Sequence, residues 1–268
     1  MSDHKNKISA IILTYNEELN IDKCLSNISD WAEEIFLVDS FSSDRTLEIA
    51  EKYNAIIVQH KFENQAQQFN WALDNLSIKN EWILRLDADE YLTSGLKREI
   101  SETLPDTKNG ISGFFMKRRV YFMGRWIKHG GYYPFWFLRL FRKGDGRCEE
   151  KKMDEHIALT KGVTVKLKND FIDENKKGLE FWLNKHIKYA SREAMDILEK
   201  KNQKFSKKVY LVFPKFIRAF IYFIYRYFIR LGFLDGKEGL IFHFLQGFWY
   251  RFLVDVKIYE IIEETKKQ

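Results

Sequence analysis

The chain is short of residues that staple or stiffen a fold. Its 268 residues include two cysteines, Cys24 and Cys148, far apart. They supply neither a disulfide framework nor a zinc ligand set, so reduced thiols are expected. Three prolines, beside 45% hydrophobic and 16% aromatic residues, exclude a disordered polymer. A glycine-rich phosphate loop is missing. Neither G-x-G-x-x-G nor G-x-x-x-x-G-K-[ST] follows an apolar run, which removes dinucleotide enzymes and P-loop ATPases. The N-terminal apolar run stops at Asn16, Glu17 and Glu18. It lacks the apolar region and cleavage site of a signal peptide, so export is not expected. Charge of one sign does not dominate, since 44 bases face 38 acids for a net +6. That balance permits an anionic partner without requiring one.

What is present is a regular alternation. "KISAIILTY", "EEIFLVD", "AIIVQH" and "EWILRLD" are short apolar runs of strand length. Between them, "EELNIDKCLSNI", "SSDRTLEIAEKYN" and "NQAQQFNWALDNL" carry apolar residues at helical spacing. Near-continuous apolar strands between amphipathic helices predict a doubly wound α/β domain with a parallel sheet covered on both faces. "GFFMKRRVYFMGRWI" and "FWFLRLFRK" read as an antiparallel continuation, and a helix is predicted after about Lys176.

Ligands of open α/β sheets bind at the carboxyl ends of the strands. Here those ends are polar. They read Thr14-Tyr15-Asn16-Glu17, Asp39-Ser40, Gln59-His60 and Asp87-Ala88-Asp89, with Glu90 next. Such an array gathers Asp39, Asp87 and Asp89 in one crevice. Carboxylates this close raise one another's pKa unless a cation offsets them. One or two carboxylates suit Mg2+ or Mn2+, with water and phosphate oxygens completing the shell. An ion held there neutralises a diphosphate leaving group. The plainer alternative is a solvated acidic turn.

"ISAIILTYNEE", "IFLVDSFSSDRT" and "WILRLDADE" resemble, in order, the N-terminal half of family 2 glycosyltransferases with the GT-A fold. "GRWIKHGGYYPFWFLRLFRKG" and "LGFLDGKEGLIFHFLQGFWYRFLVDVKIYE" resemble the branch of WaaE-type lipopolysaccharide-core glucosyltransferases. The resemblance implies an α/β fold of GT-A type, with a mainly parallel sheet and a C-terminal helical, membrane-associated extension. Residues 1–170 would form the catalytic domain and 171–268 the helical region. Thr14, Tyr15, Asn16, Glu17, Asp39, Ser40, Arg85, Asp87, Ala88 and Asp89 would surround a nucleotide-sugar, usually a UDP-sugar. Asp39 would accept a hydrogen bond from the base. Asp89, with Asp87, would ligate Mg2+ or Mn2+. One departure stands out: a position often basic in the family is Phe69 here, so phosphate contacts fall to Arg85, Arg139 or Arg142.

Inverting transfer also needs a base for the acceptor hydroxyl. The resemblance points to "KKMDEHIAL", with Glu155 as base, Asp154 as its alternative and His156 as metal ligand or orienting partner. The aromatic and basic stretch around Trp126, His129, Arg139 and Arg142 would meet a glycan or lipid-linked acceptor. The plainer reading of each such residue is structural. The tail, 209–259, has no charge-free run near the roughly 20 residues that span a bilayer. Drawn as a helix, "KFIRAFIYFIYRYFIR" gathers Lys215, Arg218, Arg226 and Arg230 within about 120° of arc. That pattern suits an anionic membrane surface, with the protein peripheral on the cytoplasmic face. The alternative is burial against the catalytic domain or in a homodimer. Nucleic acid is not expected, because bases and acids interleave outside the tail. Two rivals remain: a nucleotide-binding scaffold without activity, and a nucleotidyltransferase. The latter is disfavoured because "AIILTYNEE" lacks glycine and basic residues.

Overall fold

The computed structural model describes residues 5–150, 156–199 and 213–267. The chain forms two compact units. One comprises Met1–Arg119 with Pro134–Lys176, the other Val120–Tyr133 with Lys177–Gln268.

The first unit is built on β1 (Asn6–Thr14), β2 (Ala32–Asp39), β3 (Ile56–Gln59) and β4 (Trp82–Asp87). These pair in parallel in the order β3-β2-β1-β4. Beyond β4 the sheet continues through β8 (Trp136–Arg142), β6 (Ile111–Phe122), β11 (Val163–Glu174) and β5 (Glu90–Leu92), with β8 antiparallel to β4 and to β6, and β5 antiparallel to β11. Side chains alternate across a strand, so each strand feeds two cores. Ile8, Ala10 and Ile12 face one side, with Leu25 of α1 (Ile21–Ile28) and Leu96 of α4 (Ser94–Thr103). Ile11, Val38 and Ile83 face the other, under Phe69 of α3 (Gln65–Asn75). Burial on both faces explains why the strands read as continuous apolar runs.

Local chemistry sets the boundaries. The Asn64 side chain caps α3 by accepting from the Gln67 amide at 2.8 Å, and Thr93 caps α4 from Leu96 at 3.2 Å. Register does the positioning. Thr14 pairs with Asp39 and Leu13 with Asp87, so the polar ends of β1, β2 and β4 lie level along one edge.

In the second unit, α5 (Gly178–Leu198) packs on the helix Tyr250–Lys267. Ala190 and Ala194, one turn apart, meet Tyr250, Val254 and Ile258. The Tyr250 hydroxyl donates to buried Glu193 at 2.7 Å. The helix Ile217–Ile224 continues through a π turn, Tyr225–Ile229, and ends at Leu231 in left-handed conformation. Arg218, expected on an outward cationic stripe, is instead 4% exposed and forked onto Asp255, itself 1% exposed. Removing one partner of such a buried pair costs about 3–5 kcal/mol. In the stretch 120–133, Asp235 accepts from the His129 backbone N–H at 2.8 Å, and the His129 ring lies 2.6 Å from the same carboxylate. Gly130, at φ +65°, passes so close to the buried His243 ring that a Cβ there would lie 2.0 Å from it.

Candidate active site

The level strand ends create a polar edge on the first unit. Asp39 is fully buried at the end of β2. Its carboxylate accepts from the Ser42 amide at 2.8 Å, from the Ser42 hydroxyl and from Gln59 at 3.3 Å. The loop after β1 is laced to the same segment. The Asn16 amide donates to the Ser42 hydroxyl, the Asn16 side chain accepts from the Ser43 amide, and the Glu17 amide donates to Thr46. Asn16 and Phe41 hold φ of 52° and 61°. That conformation is costly for a phenylalanine, and both Phe41 and Tyr15 are 57% exposed. Ser40 accepts from Gln68 at 3.2 Å, while the Thr14 hydroxyl is buried with no hydrogen-bond partner among the described residues.

At the end of β4 the acids separate by role. Asp87 and Asp89 are half-buried, while Ala88 and Glu90 are buried between and beside them. Asp87 accepts from Gln65 and Arg139, each at 3.2 Å, and lies 3.6 Å from Arg85. Glu90 accepts from the Asp87 amide and from Arg139. Asp89 accepts from Asn175 at 2.8 Å. Burial pushes the Glu90 carboxyl up to about 8 against the pull of Arg139, and Asp87 and Asp173 add to the push. Burial works against the Arg139 charge too, but Glu90 and Asp87 outweigh it and raise its pKa. A guanidinium between two acids stays charged, so Glu90 is the member that titrates. Burial also lifts the Cys24 thiol well above its ordinary value, and the charges of Glu90, Asp89, Asp87 and Glu17 lift it further.

The two arginines answer the question of how the acidic turn is neutralised within the chain. Both are buried, at 3% and 6% exposure. Arg85 lies over the Phe69 ring at 5.2 Å. The side chain in the family's basic position thus becomes a platform for a neighbouring cation. Arg85 and Arg139 also line a cavity of about 360 Å³, whose wall includes Trp136, Phe137, Glu149 and His156. Arg142 lies at the far end of β4, over the Trp82 ring and bonded to the Ile111 carbonyl and Glu81. Trp126 and His129 belong to the second unit, where Trp126 meets Tyr133 edge-on and His129 is held by Asp235. Glu155 and Asp154 lie outside the described residues.

Two contributors were not singled out from sequence. Gln65 and Gln68 occupy one face of α3 at i, i+3 and reach Asp87 and Ser40 respectively. The sign was present, since both glutamines open the helix that directly follows β3.

A sheet of this order, with aspartates ending its second and fourth strands, defines a GT-A-type protein. The mannosyltransferase PcManGT from Pyrobaculum calidifontis shares the fold over 96% of this chain and 88% of its own, with a TM-score of 0.55 and 14% identity. The profile of Glycosyl transferase family 2 matches residues 9–160, more than half of the chain, and the chain belongs to that family. It is similar to the lipopolysaccharide core biosynthesis glycosyltransferase LpsC of Rhizobium meliloti, 28% identical over 263 residues, 96% of this chain and 93% of that protein. It is also similar to an uncharacterized glycosyltransferase of Rickettsia bellii, 39% identical over 94 residues. That match spans 35% of this chain and 31% of the relative.

Proposed function

We propose that this glycosyltransferase moves a sugar from a UDP-sugar to a lipopolysaccharide-type or lipid-linked acceptor. Transfer is metal-dependent and inverting, at the inner face of the cytoplasmic membrane. The observation that carries this reading is the level placement of Asp39, Asp87 and Asp89 along one strand edge, with Arg85 and Arg139 behind them. The similarity to LpsC, named for lipopolysaccharide core biosynthesis, supports the acceptor class.

The donor set fits a hard divalent ion. Among the described residues no three acidic, His or Cys side chains gather to hold an ion alone. Mg2+ and Mn2+ need no such cage, because one or two carboxylates suffice when phosphate oxygens and water fill the shell. Asp89 and Asp87 would hold the ion, with His156 a further candidate ligand. When bound, the ion supplies positive charge for the departing diphosphate.

The remaining chemistry belongs to the chain. Asp39 accepts from the base, and Thr14 to Glu17 with Ser40 enclose the nucleoside. Arg85 and Arg139 meet the phosphates. Glu155, or Asp154, takes the acceptor hydroxyl's proton as its oxygen bonds to the anomeric carbon and the diphosphate leaves with the bond electrons. Support for a base in this segment comes from His156, the residue after Glu155, which shares the cavity wall with Arg85 and Arg139. Trp126 and His129 are the residues proposed to meet the acceptor glycan.

A donor panel tests this. UDP-sugars should raise the melting temperature only with Mg2+ or Mn2+, and one should be hydrolysed slowly without acceptor. Equal stabilisation by every nucleotide with EDTA present would refute it.

A further inference from the structure

No helix among the described residues is long and apolar enough to cross a membrane. The second unit nevertheless carries large apolar side chains outward. On the helix that opens at Ile217, Phe220, Ile221, Tyr225, Phe228 and Ile229 join it as exposed residues. Their offsets of 3, 4, 8, 11 and 12 place them on one face. The turn that follows presents Leu231, Phe233 and Leu234, and Ile229 at its start is 69% exposed. On the helix Gly236–His243 and the π turn Phe244–Trp249 that extends it, exposed Leu240 and Phe244 continue the patch, as does Phe252 on the last helix, and ring contacts of Phe220 with Phe248 and Phe223 with Phe244 join them to the helix at 217. Soluble monomers rarely leave so continuous an apolar surface uncovered.

Leu231 sharpens the case. It sits at φ 59° just past a helix end, where glycine is favoured and a branched side chain is strained. Its side chain is 46% exposed, so the fold recovers little from that strain by burying it.

We propose that this face and turn insert into the headgroup–acyl boundary of a lipid bilayer, so that apolar burial, with cations as accessories, holds the protein to membranes. The proposal rests on the membrane reading above and names the face and the force. Charge argues for lipid over a second copy. Between Phe213 and Phe252 the only acids are Asp235, which is buried, and Glu238, which is half-buried, whereas Lys215, Arg230 and Lys237 are exposed. A two-fold contact would set these cations against themselves without an exposed acid to meet them, while anionic headgroups complement them. The helix from 217 to 229 is too short to span and suited to lying in the interface.

The test is co-flotation of the full chain with neutral and anionic vesicles, with size and melting temperature measured for each variant. Ile229→Ser, Leu231→Gly, Phe233→Ser and Leu234→Ser together should weaken partitioning about 100-fold or more. Lys215→Gln, Arg230→Gln and Lys237→Gln together should weaken it only several-fold, on anionic vesicles alone. Binding should survive about 1 M salt, where the screening length is about 3 Å. Leu231→Gly alone should keep or raise the melting temperature yet weaken binding roughly several-fold. Should the charge variant or salt release the protein while the apolar quartet binds like wild type, the inserted face is wrong and the membrane reading survives. If wild type floats with no vesicle, both fail. A wild-type dimer that the quartet splits, without vesicle binding, would assign the face to a second copy.

Discussion

The two units use the same residue types in opposite ways. In the first, Phe69, Phe114, Phe141 and Phe171 are fully buried, and the buried arginines Arg85 and Arg139 reach toward the open strand edge. In the second, Phe220, Phe228, Phe233 and Phe244 face outward, while Arg218 is buried against Asp255. The first unit turns its large aromatic rings inward and sets two buried cations against a polar edge. The second buries one cation and turns a run of apolar side chains outward. A hydrophobic count alone would not separate them, because what differs is which side the helices turn inward.

That contrast can be broken at several points. Glu155→Gln should lower kcat about 10²- to 10⁴-fold while donor Kd stays within about threefold. Steady-state rates beside calorimetric donor binding check this, and an unchanged kcat would move the base to Asp154 or elsewhere. Arg218→Ala should destabilise the second unit by about 3–5 kcal/mol through the stranded Asp255. Denaturant melts followed with and without donor would show it, with donor binding retained wherever the first unit stays folded.

A pH effect should also fall on the second unit. Burial beside Trp182 holds the His186 imidazole down at about 4, below its ordinary 6.5. Between those values the unfolded chain binds the extra proton and the folded chain refuses it. Stability therefore falls as pH drops from about 6.5 toward 4, by at most about 3 kcal/mol. His186→Phe should flatten that slope relative to wild type in parallel melts, and identical slopes would contradict the assignment. The smallest effect is expected at Arg142→Ala, which alters kcat/KM by less than about threefold because its partners Glu81 and Trp82 sit at the opposite end of β4.

Much of the first unit was legible in the sequence because its signals are local. The apolar runs from Ile8 to Leu86 fixed the strands, and polar residues at their ends pointed to Asp39, Asp87 and Asp89. The neutralising of Asp87 was not legible. It depends on Arg139, which β8 brings beside β4 through antiparallel pairing across more than fifty intervening residues, and on Gln65 from another helix. The tail was half legible. Its periodicity placed Lys215, Arg218, Arg226 and Arg230 on one arc, but periodicity does not say which arc turns inward. The partner that decides this for Arg218 is Asp255, which lies on the last helix.

The central claim is that the Asp87–Asp89 turn is completed by an ion and a diphosphate. Calorimetric titration of UDP into wild type and Asp89→Ala, each with Mn2+ and with EDTA, tests it most directly. Wild type should bind UDP at least about tenfold more tightly with Mn2+ than with EDTA, and Asp89→Ala should lose that difference while keeping its melting temperature. UDP binding that ignores both the metal and the substitution would contradict the account.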